Sequence, residues 1–584
     1  MLENSDLILR YLERLGVEYV FGVPGGSIEP FYDALARSER RGGIRTITAR
    51  HESGAAFMAE GYARETGKIG VCCSTAGPGA TNLLTGVASA YADGIPILVI
   101  TAQTALDKFG QGSLQETSCT GIHTVEMFAR CTRYNTLVSH PAQLETKLLQ
   151  AVSHAMSNQP GPAHLAIPLD VMRHRIPDNV MDGELNAFTN HKVAPNEGSI
   201  QSALRELDSN KRVTLVLGEG AAEATDVLVR IAESRSWLMV TTPRGKGLVD
   251  SFHPLYRGVF GFAGHDSASE ALKIDNADRV VAIGTALDEV STCGWDPTTI
   301  LSDRLIHVSN NPAHLSRSTM AKLVVLGSPE FLFESLAKTW GVGSKRRTSS
   351  SASIDDCLPF NTRFDDPDKC FDRSGRIKCQ ALMTYMSRVS PQSARVLMDT
   401  GNSFLWGIHY WNVRRPNEMP PQVNHFHIGL GFAAMGWAIG TSVGMAAANR
   451  QHPVICFTGD GSYLMSGQEL TIALQENLNI LMFVLNDASL GMVSHGQKLS
   501  GGEQVATRLP SVDFSMMARA LGVESYRAES MEQLTDLDIA EILSRPGPCL
   551  VDVIVDGDQV PPLGSRMKVL TCLLYTSPSP RDRG

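Results

Sequence analysis

The chain predicts an α/β protein of three doubly wound parallel-sheet domains in succession. Short apolar strand candidates alternate with helical spacing along most of its length, which is the βαβ rhythm of parallel sheets. Glycine-rich turns follow the strand ends, as where Tyr19-Val20-Phe21-Gly22-Val23 runs into Pro24-Gly25-Gly26. At 584 residues the chain exceeds one ordinary core, and two to four domains are expected.

The elements follow in order. Ser5 is placed to cap a helix whose apolar face is Leu7, Ile8, Tyr11, Leu12 and Leu15. Tyr19–Val23, 69–74 and 97–101 are strand candidates, with 82–91 helical between the last two. These fall in a first domain, 1–175. A second domain, 190–345, repeats the rhythm with strands at Val213–Leu217, Leu238–Thr241, Arg279–Ile283 and 304–308. Residues 346–375, rich in serine and charge, read as a linker. A third domain, 376–562, carries strands at Arg395–Met398, 454–457, 481–485 and 549–555. No sequence repeat is visible, which leaves open whether the three domains are alike in structure. The last residues, 572–584, continue no pattern and resemble translated sequencing-adaptor read-through, so they are set aside as a non-native tail.

Composition narrows the function classes. Hydrophobic content of 43% and charged content of 19% are those of a globular protein. A net charge of −9 offers no basic footprint, so no nucleic-acid partner is expected. No apolar run reaches membrane-spanning length and the N-terminus lacks a signal pattern, so neither a membrane nor export is expected. The eleven cysteines form no CxxC pair, and Cys357, Cys370 and Cys379 lack zinc-ligand spacing. A reduced, cytoplasmic protein with buried thiols is the reading.

Two motifs carry chemistry. Gly459-Asp460-Gly461-Ser462 follows an apolar strand, and Asn486-Asp487 ends a second one 27 residues after Asp460. A strand–helix–strand crossover brings both strand ends to one edge of a parallel sheet, where open α/β sheets bind ligands. Asp460 and Asp487 can meet there around Mg2+ and phosphate oxygens. A GDG turn without a ligand is the plainer alternative. In the second motif, Arg50-His51-Glu52-Ser53-Gly54-Ala55-Ala56 opens a small-faced helix. On residue type alone, Glu52 reads as a first-turn glutamate favoured by the helix dipole.

Five segments in order change that balance: Gly22-Val23-Pro24-Gly25-Gly26, Arg50-His51-Glu52-Ser53-Gly54-Ala55, Thr75-Ala76-Gly77-Pro78-Gly79-Ala80-Thr81-Asn82, Ala92-Asp93-Gly94-Ile95-Pro96 and Gly459-Asp460-Gly461. Together they resemble the thiamine diphosphate (ThDP) enzymes related to acetolactate synthase, over about residues 5–570. The resemblance implies a pyrimidine-binding, a central and a diphosphate-binding domain. It places ThDP between the first domain of one subunit and the third of another, so a homodimer or homotetramer is expected. Glu52 takes the position of the carboxylate beside the pyrimidine N1′. That carboxylate favours the tautomer in which the cofactor's own amino group removes the thiazolium C2 proton.

The other roles are carried over in the same way. Asp460, Asp487 and a backbone carbonyl near Ser489 are the implied Mg2+ ligands, Asp487 standing where asparagine is usual. Ser462, Gly401, Asn402 and Ser403 match diphosphate contacts, beside Gly459 and Gly461. Gly25, Pro78 and Asn82 match cofactor-binding positions. Met435 matches the apolar wedge that bends the cofactor, although methionine is also ordinary core filler. Gln115 matches a catalytic-site glutamine, and Met492 falls in a cofactor- and channel-lining segment.

Three departures qualify the likeness. The tryptophan that biosynthetic acetolactate synthases carry shortly after Gly-Met-Val is Gly496 here, which implies a different or roomier acceptor pocket. Beside it, His495 is either a hydrogen-bond donor or a solvated loop residue. The phenylalanine before the active-site glutamine is Leu114. The central domain has Gly284-Thr285-Ala286-Leu287 and Val308-Ser309-Asn310-Asn311 where flavin signals belong, so FAD is not expected. The implied activity is a carboligase that decarboxylates a 2-oxo acid, pyruvate foremost, and adds the acyl carbanion to a second carbonyl compound. The alternative is a 2-oxo-acid decarboxylase or C–C lyase of the same fold. The absence of a His-His pair weighs against a decarboxylase.

Overall fold

The computed structural model describes residues 2–177, 185–189, 192–207, 211–344, 358–415 and 424–563. The tail 572–584 and part of the expected linker lie outside these residues. The expected fold class is borne out by three six-stranded sheets, every pairing in them parallel. Among the described residues no helix is long and apolar enough to cross a membrane.

The first and third sheets share one strand order. Numbering strands within each sheet in chain order, both run 2-1-3-4-6-5. In the first, the inner strands are Tyr19–Val23, Gly70–Ser74, Ile97–Gln103 and Ala163–Pro168. In the third they are Arg395–Met398, Val454–Gly459, Ile480–Asn486 and Pro548–Ile554. The central sheet runs 3-2-1-4-5-6 instead. A parallel sheet opens a crevice where its order reverses, between the two strands whose crossovers leave in opposite directions. In the first sheet that crevice opens after Val23 and Ser74, and in the third after Met398 and Gly459.

The first and third domains dock through two helices, Glu52–Thr66 and Trp437–Ala448, that touch backbone to backbone. A Cβ on Gly61 would sit 2.2 Å from the Thr441 carbonyl oxygen, and one on Gly444 would sit 1.9 Å from that of Met58. Gly61 of the Glu52 helix and Gly444 therefore serve this crossing, whereas Ala56 faces Gly86 of the helix Pro78–Asp93. Arg395 adds a buried, two-oxygen ion pair to Glu65, with a closest contact of 2.7 Å.

Two local expectations are corrected. Ser5 does not cap the first helix, which spans Asn4–Arg14. Glu3 and Asp6 close a reciprocal capping box there, while the Ser5 hydroxyl donates to the Met172 carbonyl. The thiols are not all buried, since Cys119 is exposed, although Cys72 and Cys73 lie inside the strand Gly70–Ser74 as expected.

Candidate active site

The strand ends and first helical turns at the third sheet's crevice line a cavity of about 270 Å3. Thr400 and Gly401, with Asn402 and Ser403 of the helix Asn402–Tyr410, come from one strand end, and Gly459, with Asp460, Gly461 and Ser462 of the helix Asp460–Ser466, from the other. Asp487, Ser489 and Met492 arrive from beyond the next strand, and Met435 forms part of the wall. The sequence-derived candidates of the third domain thus all border one cavity.

Its electrostatics are unbalanced. Asp460 is 3% exposed, and its carboxylate accepts from the amides of Gly461 at 2.7 Å and Ser489 at 3.2 Å. The Ser489 amide also donates to Asp487 at 3.1 Å. Burial pushes the Asp460 carboxyl up to about 6 despite these bonds. Burial, followed by the charge of Asp460, pushes Asp487 up to about 7. The pair therefore calls for a cation. Among the described residues no group of three or more His, Cys, Asp or Glu side chains could hold a metal. Any ion here would need further oxygens from backbone, ligand or water.

The polar wall is unsatisfied as well. Thr400 Oγ1, Asn402 Oδ1 and Ser462 Oγ are buried without a partner among the described residues. Each such atom costs roughly 1–3 kcal/mol if left alone. A Cβ on Gly401 or Gly459 would meet nothing within 4 Å, so backbone here faces open space. The residues present thus fit a polyanionic group paired with a divalent ion.

Glu52, Asn82, Gly25, Pro78 and Gln115 do not line this cavity. They gather instead at the first sheet's crevice. Glu52 is 8% exposed at the start of its helix, and Asn82 Nδ2 donates to its Oε2 at 2.9 Å. A Cβ on Gly79 would lie 3.3 Å from Glu52 Oε1. Gly25 packs on Thr75, and Gln115 packs on Gly77, whose φ is +67°.

Three residues of these surroundings were not singled out for the roles they take here. Thr400 could have been found as the second residue after the crevice strand Arg395–Met398. Glu469, 1% exposed, accepts from the amides of Arg50 at 3.1 Å and His51 at 3.0 Å, and so fixes the turn before Glu52. Its partners lie more than 400 positions away, beyond any local pattern. His495 is no solvated loop residue. It is 6% exposed in the helix Gly491–Leu499, its Nε2 pairs with the Gly557 carbonyl and its Nδ1 faces Asn402 Nδ2 at 3.3 Å.

Two like-ordered sheets, the third domain's crevice lined for a charged ligand and the first's holding the buried Glu52–Asn82 pair, fit a cofactor-dependent enzyme. Family models match the chain in all three parts: the thiamine pyrophosphate enzyme N-terminal TPP-binding domain at 3–122, the central domain at 200–336 and the C-terminal TPP-binding domain at 399–553. The chain is 30% identical over 561 residues to the acetolactate synthase isozyme 1 large subunit of Escherichia coli K12, covering 95% of this chain and 94% of that protein. It is 31% identical to the acetolactate synthase large subunit of Parasynechococcus marenigrum, covering 95% and 88%. Against the mitochondrial acetolactate synthase catalytic subunit of Saccharomyces cerevisiae it is 29% identical, covering 95% and 81%. The chain belongs to the thiamine pyrophosphate enzymes of the acetolactate synthase large-subunit type.

Proposed function

We propose that two copies of the chain form a ThDP- and Mg2+-dependent carboligase that decarboxylates pyruvate and joins the remaining two-carbon unit to a second carbonyl compound. The carrying observation is the division of the site. A carboxylate pair and orphaned polar atoms lie at one crevice, Glu52 with Asn82 and Gln115 lie at the equivalent crevice of a like-ordered sheet, and the cavity includes none of the latter. A second copy would bring one against the other. Leu114, 88% exposed, Ile122 at 61%, Met465 at 57% and Phe432 at 51% offer apolar surface for that contact.

In this reading Asp460, Asp487 and a carbonyl near Ser489 hold Mg2+. Ser462, Asn402, Ser403 and the Gly401, Gly459 and Gly461 backbones hold the diphosphate, and Met435 wedges the cofactor. Gly25, Pro78 and Asn82 border the pyrimidine. Bound ThDP supplies the electron sink that decarboxylation of a 2-oxo acid requires. Glu52 keeps Oε2 on Asn82 and has Oε1 left to share a proton with the pyrimidine N1′. Gln115 turns its amide toward the substrate, and Met492 lines its approach. A Cβ on Gly496 would meet nothing within 4 Å, which supports a roomy acceptor side.

The central domain is read as free of flavin. Its crevice loops close on each other: Gly220 N–H donates to the Gly284 carbonyl at 2.9 Å, and a Cβ on Gly284 would lie 2.2 Å from the Gly220 carbonyl carbon. About 20 Å3 remains beside Arg244, which is paired with Glu219 at 3.1 Å.

The test is product identification with pyruvate alone, then with a panel of ketones and aldehydes. A carboligase yields 2-acetolactate or another acyloin. Acetaldehyde as sole product would replace this reading with the decarboxylase.

A further inference from the structure

The loop that carries Gln115 leaves the strand Ile97–Gln103 through a short 3-10 turn, Leu106–Lys108, and ends at the helix Thr124–Phe128. Its base is fastened by Gln103, which is 1% exposed. Gln103 Nε2 donates to the Thr117 carbonyl at 3.0 Å, and the Thr117 hydroxyl donates back to Oε1 at 3.3 Å. The amide of Thr124 donates to the same carbonyl at 3.2 Å.

The far side of the loop has no such buried anchor. Gln111 Nε2 donates to the Asp107 carbonyl at 2.6 Å and the Ser113 hydroxyl to that of Lys108 at 3.4 Å, while one carboxylate ties residue 110 to residues 118 and 120. Glu116 Oε1 accepts the Gly110 amide at 2.6 Å, the Ser118 hydroxyl, and the Thr120 hydroxyl at 3.4 Å. The Glu116 amide donates to the Ser113 carbonyl at 3.0 Å. These bonds hold its carboxyl below the ordinary glutamate value. The contacts span residues 110 to 120, so Gln115 sits at the middle of the segment they close.

Gln115 itself is strained. Its φ is +60°, a left-handed conformation that costs a residue with a Cβ roughly 1–2 kcal/mol. The residue persists there because its surroundings over-determine it. Its Cβ lies against Gly77, where any added Cβ would come within 2.9 Å of it. Gly77 in turn opens the helix that carries Asn82, the partner of Glu52.

We propose that Glu116 is a positioning residue. Its carboxylate closes the 110–120 segment and so holds Gln115 in its left-handed conformation against Gly77, at the start of the helix that carries Asn82, the partner of Glu52. This rests on the reading of Gln115 as a substrate-facing group. The buried pair Gln103–Thr117 sets where the loop starts and ends, whereas Glu116 sets the conformation at its centre.

The experiment is a double-mutant cycle on the full-length holoenzyme, with hydrogen exchange of the 106–122 segment as a second readout. Glu116→Ala is expected to raise amide exchange in that segment and to lower kcat for acyloin formation roughly tenfold, with a greater share of acetaldehyde among the products. Glu116→Gln keeps an acceptor in place and is expected to restore most of both. In a Gln115→Ala background, Glu116→Ala is expected to have little further effect on turnover. Wild-type exchange and turnover in Glu116→Ala would overturn the proposal. So would fully additive effects of the two substitutions, because Glu116 would then act elsewhere. Gln115→Ala at wild-type activity would remove the role read for Gln115, and loop exchange in Glu116→Ala would then decide for or against Glu116 as the clamp.

Discussion

Asp460 and Asp487 share one donor, the Ser489 amide, which lies 3.2 Å from the first carboxylate and 3.1 Å from the second. One N–H cannot neutralise two charges, and burial raises both carboxyls, to about 6 and about 7. Asp460→Asn is expected to weaken Mg2+-dependent activation by about 100-fold or more. Asp487→Asn, which leaves an oxygen in the same place, should cost about tenfold. A Mg2+ titration of cofactor-dependent turnover measures both, and an unchanged titration in Asp460→Asn would remove the metal site from this cavity.

The crossing of the Glu52 and Trp437 helices has no room for a side chain at Gly444, where a Cβ would lie 1.9 Å from the Met58 carbonyl. Gly444→Ala should therefore destabilise the chain by roughly 2–4 kcal/mol. Gly343→Ala, where a Cβ would meet nothing within 4 Å, is the control and should change stability by less than about 0.5 kcal/mol. Urea denaturation of the two variants measures the difference.

Glu469 makes stability depend on pH. Burial raises its carboxyl from 4.5 to about 7, although the amides of Arg50 and His51 pull the other way. The folded value lies above the unfolded one, so the associated stability is present below 4.5 and is lost as pH rises through about 7. Glu469→Gln cannot ionise. Relative to wild type it should gain on the order of 1 kcal/mol between about pH 5 and about pH 8. Thermal melts at both ends give the sign, and a difference independent of pH would assign the ordinary value to Glu469.

Gly496 leaves open space beside His495. Gly496→Trp should fill it, raising KM for branched or aromatic acceptors by about tenfold or more while a small acceptor is still used. Competition between two acceptors in one reaction measures the shift. An unchanged preference would place the acceptor elsewhere.

Much of this was legible in the sequence because it is local. The strand Val213–Leu217 was delimited by its own apolar residues, and Asp460 and Asp487 by strand ends that a crossover brings together. The edge strands Arg45–Thr48 and Tyr134–Leu137 were missed because they are half-exposed and lack a continuous apolar run. Glu469 was missed because its partners lie in another domain. Ser5 was misassigned because capping depends on which of several polar residues in a row the third helical position answers. The shared strand order of the outer sheets leaves no repeat in sequence, since pleat and crossover constrain residue type but not identity.

The shared site is tested most directly by co-expressing Glu52→Gln chains with Asp460→Asn chains and measuring pyruvate turnover. Each variant alone is expected to be inactive. In a mixed dimer one crevice pair is intact, so the mixture should recover up to roughly a quarter of wild-type activity if subunits pair at random. A mixture as inactive as its parents, with mixed dimers shown to be present, would contradict a reaction centre built from Glu52 of one copy and Asp460 of the other.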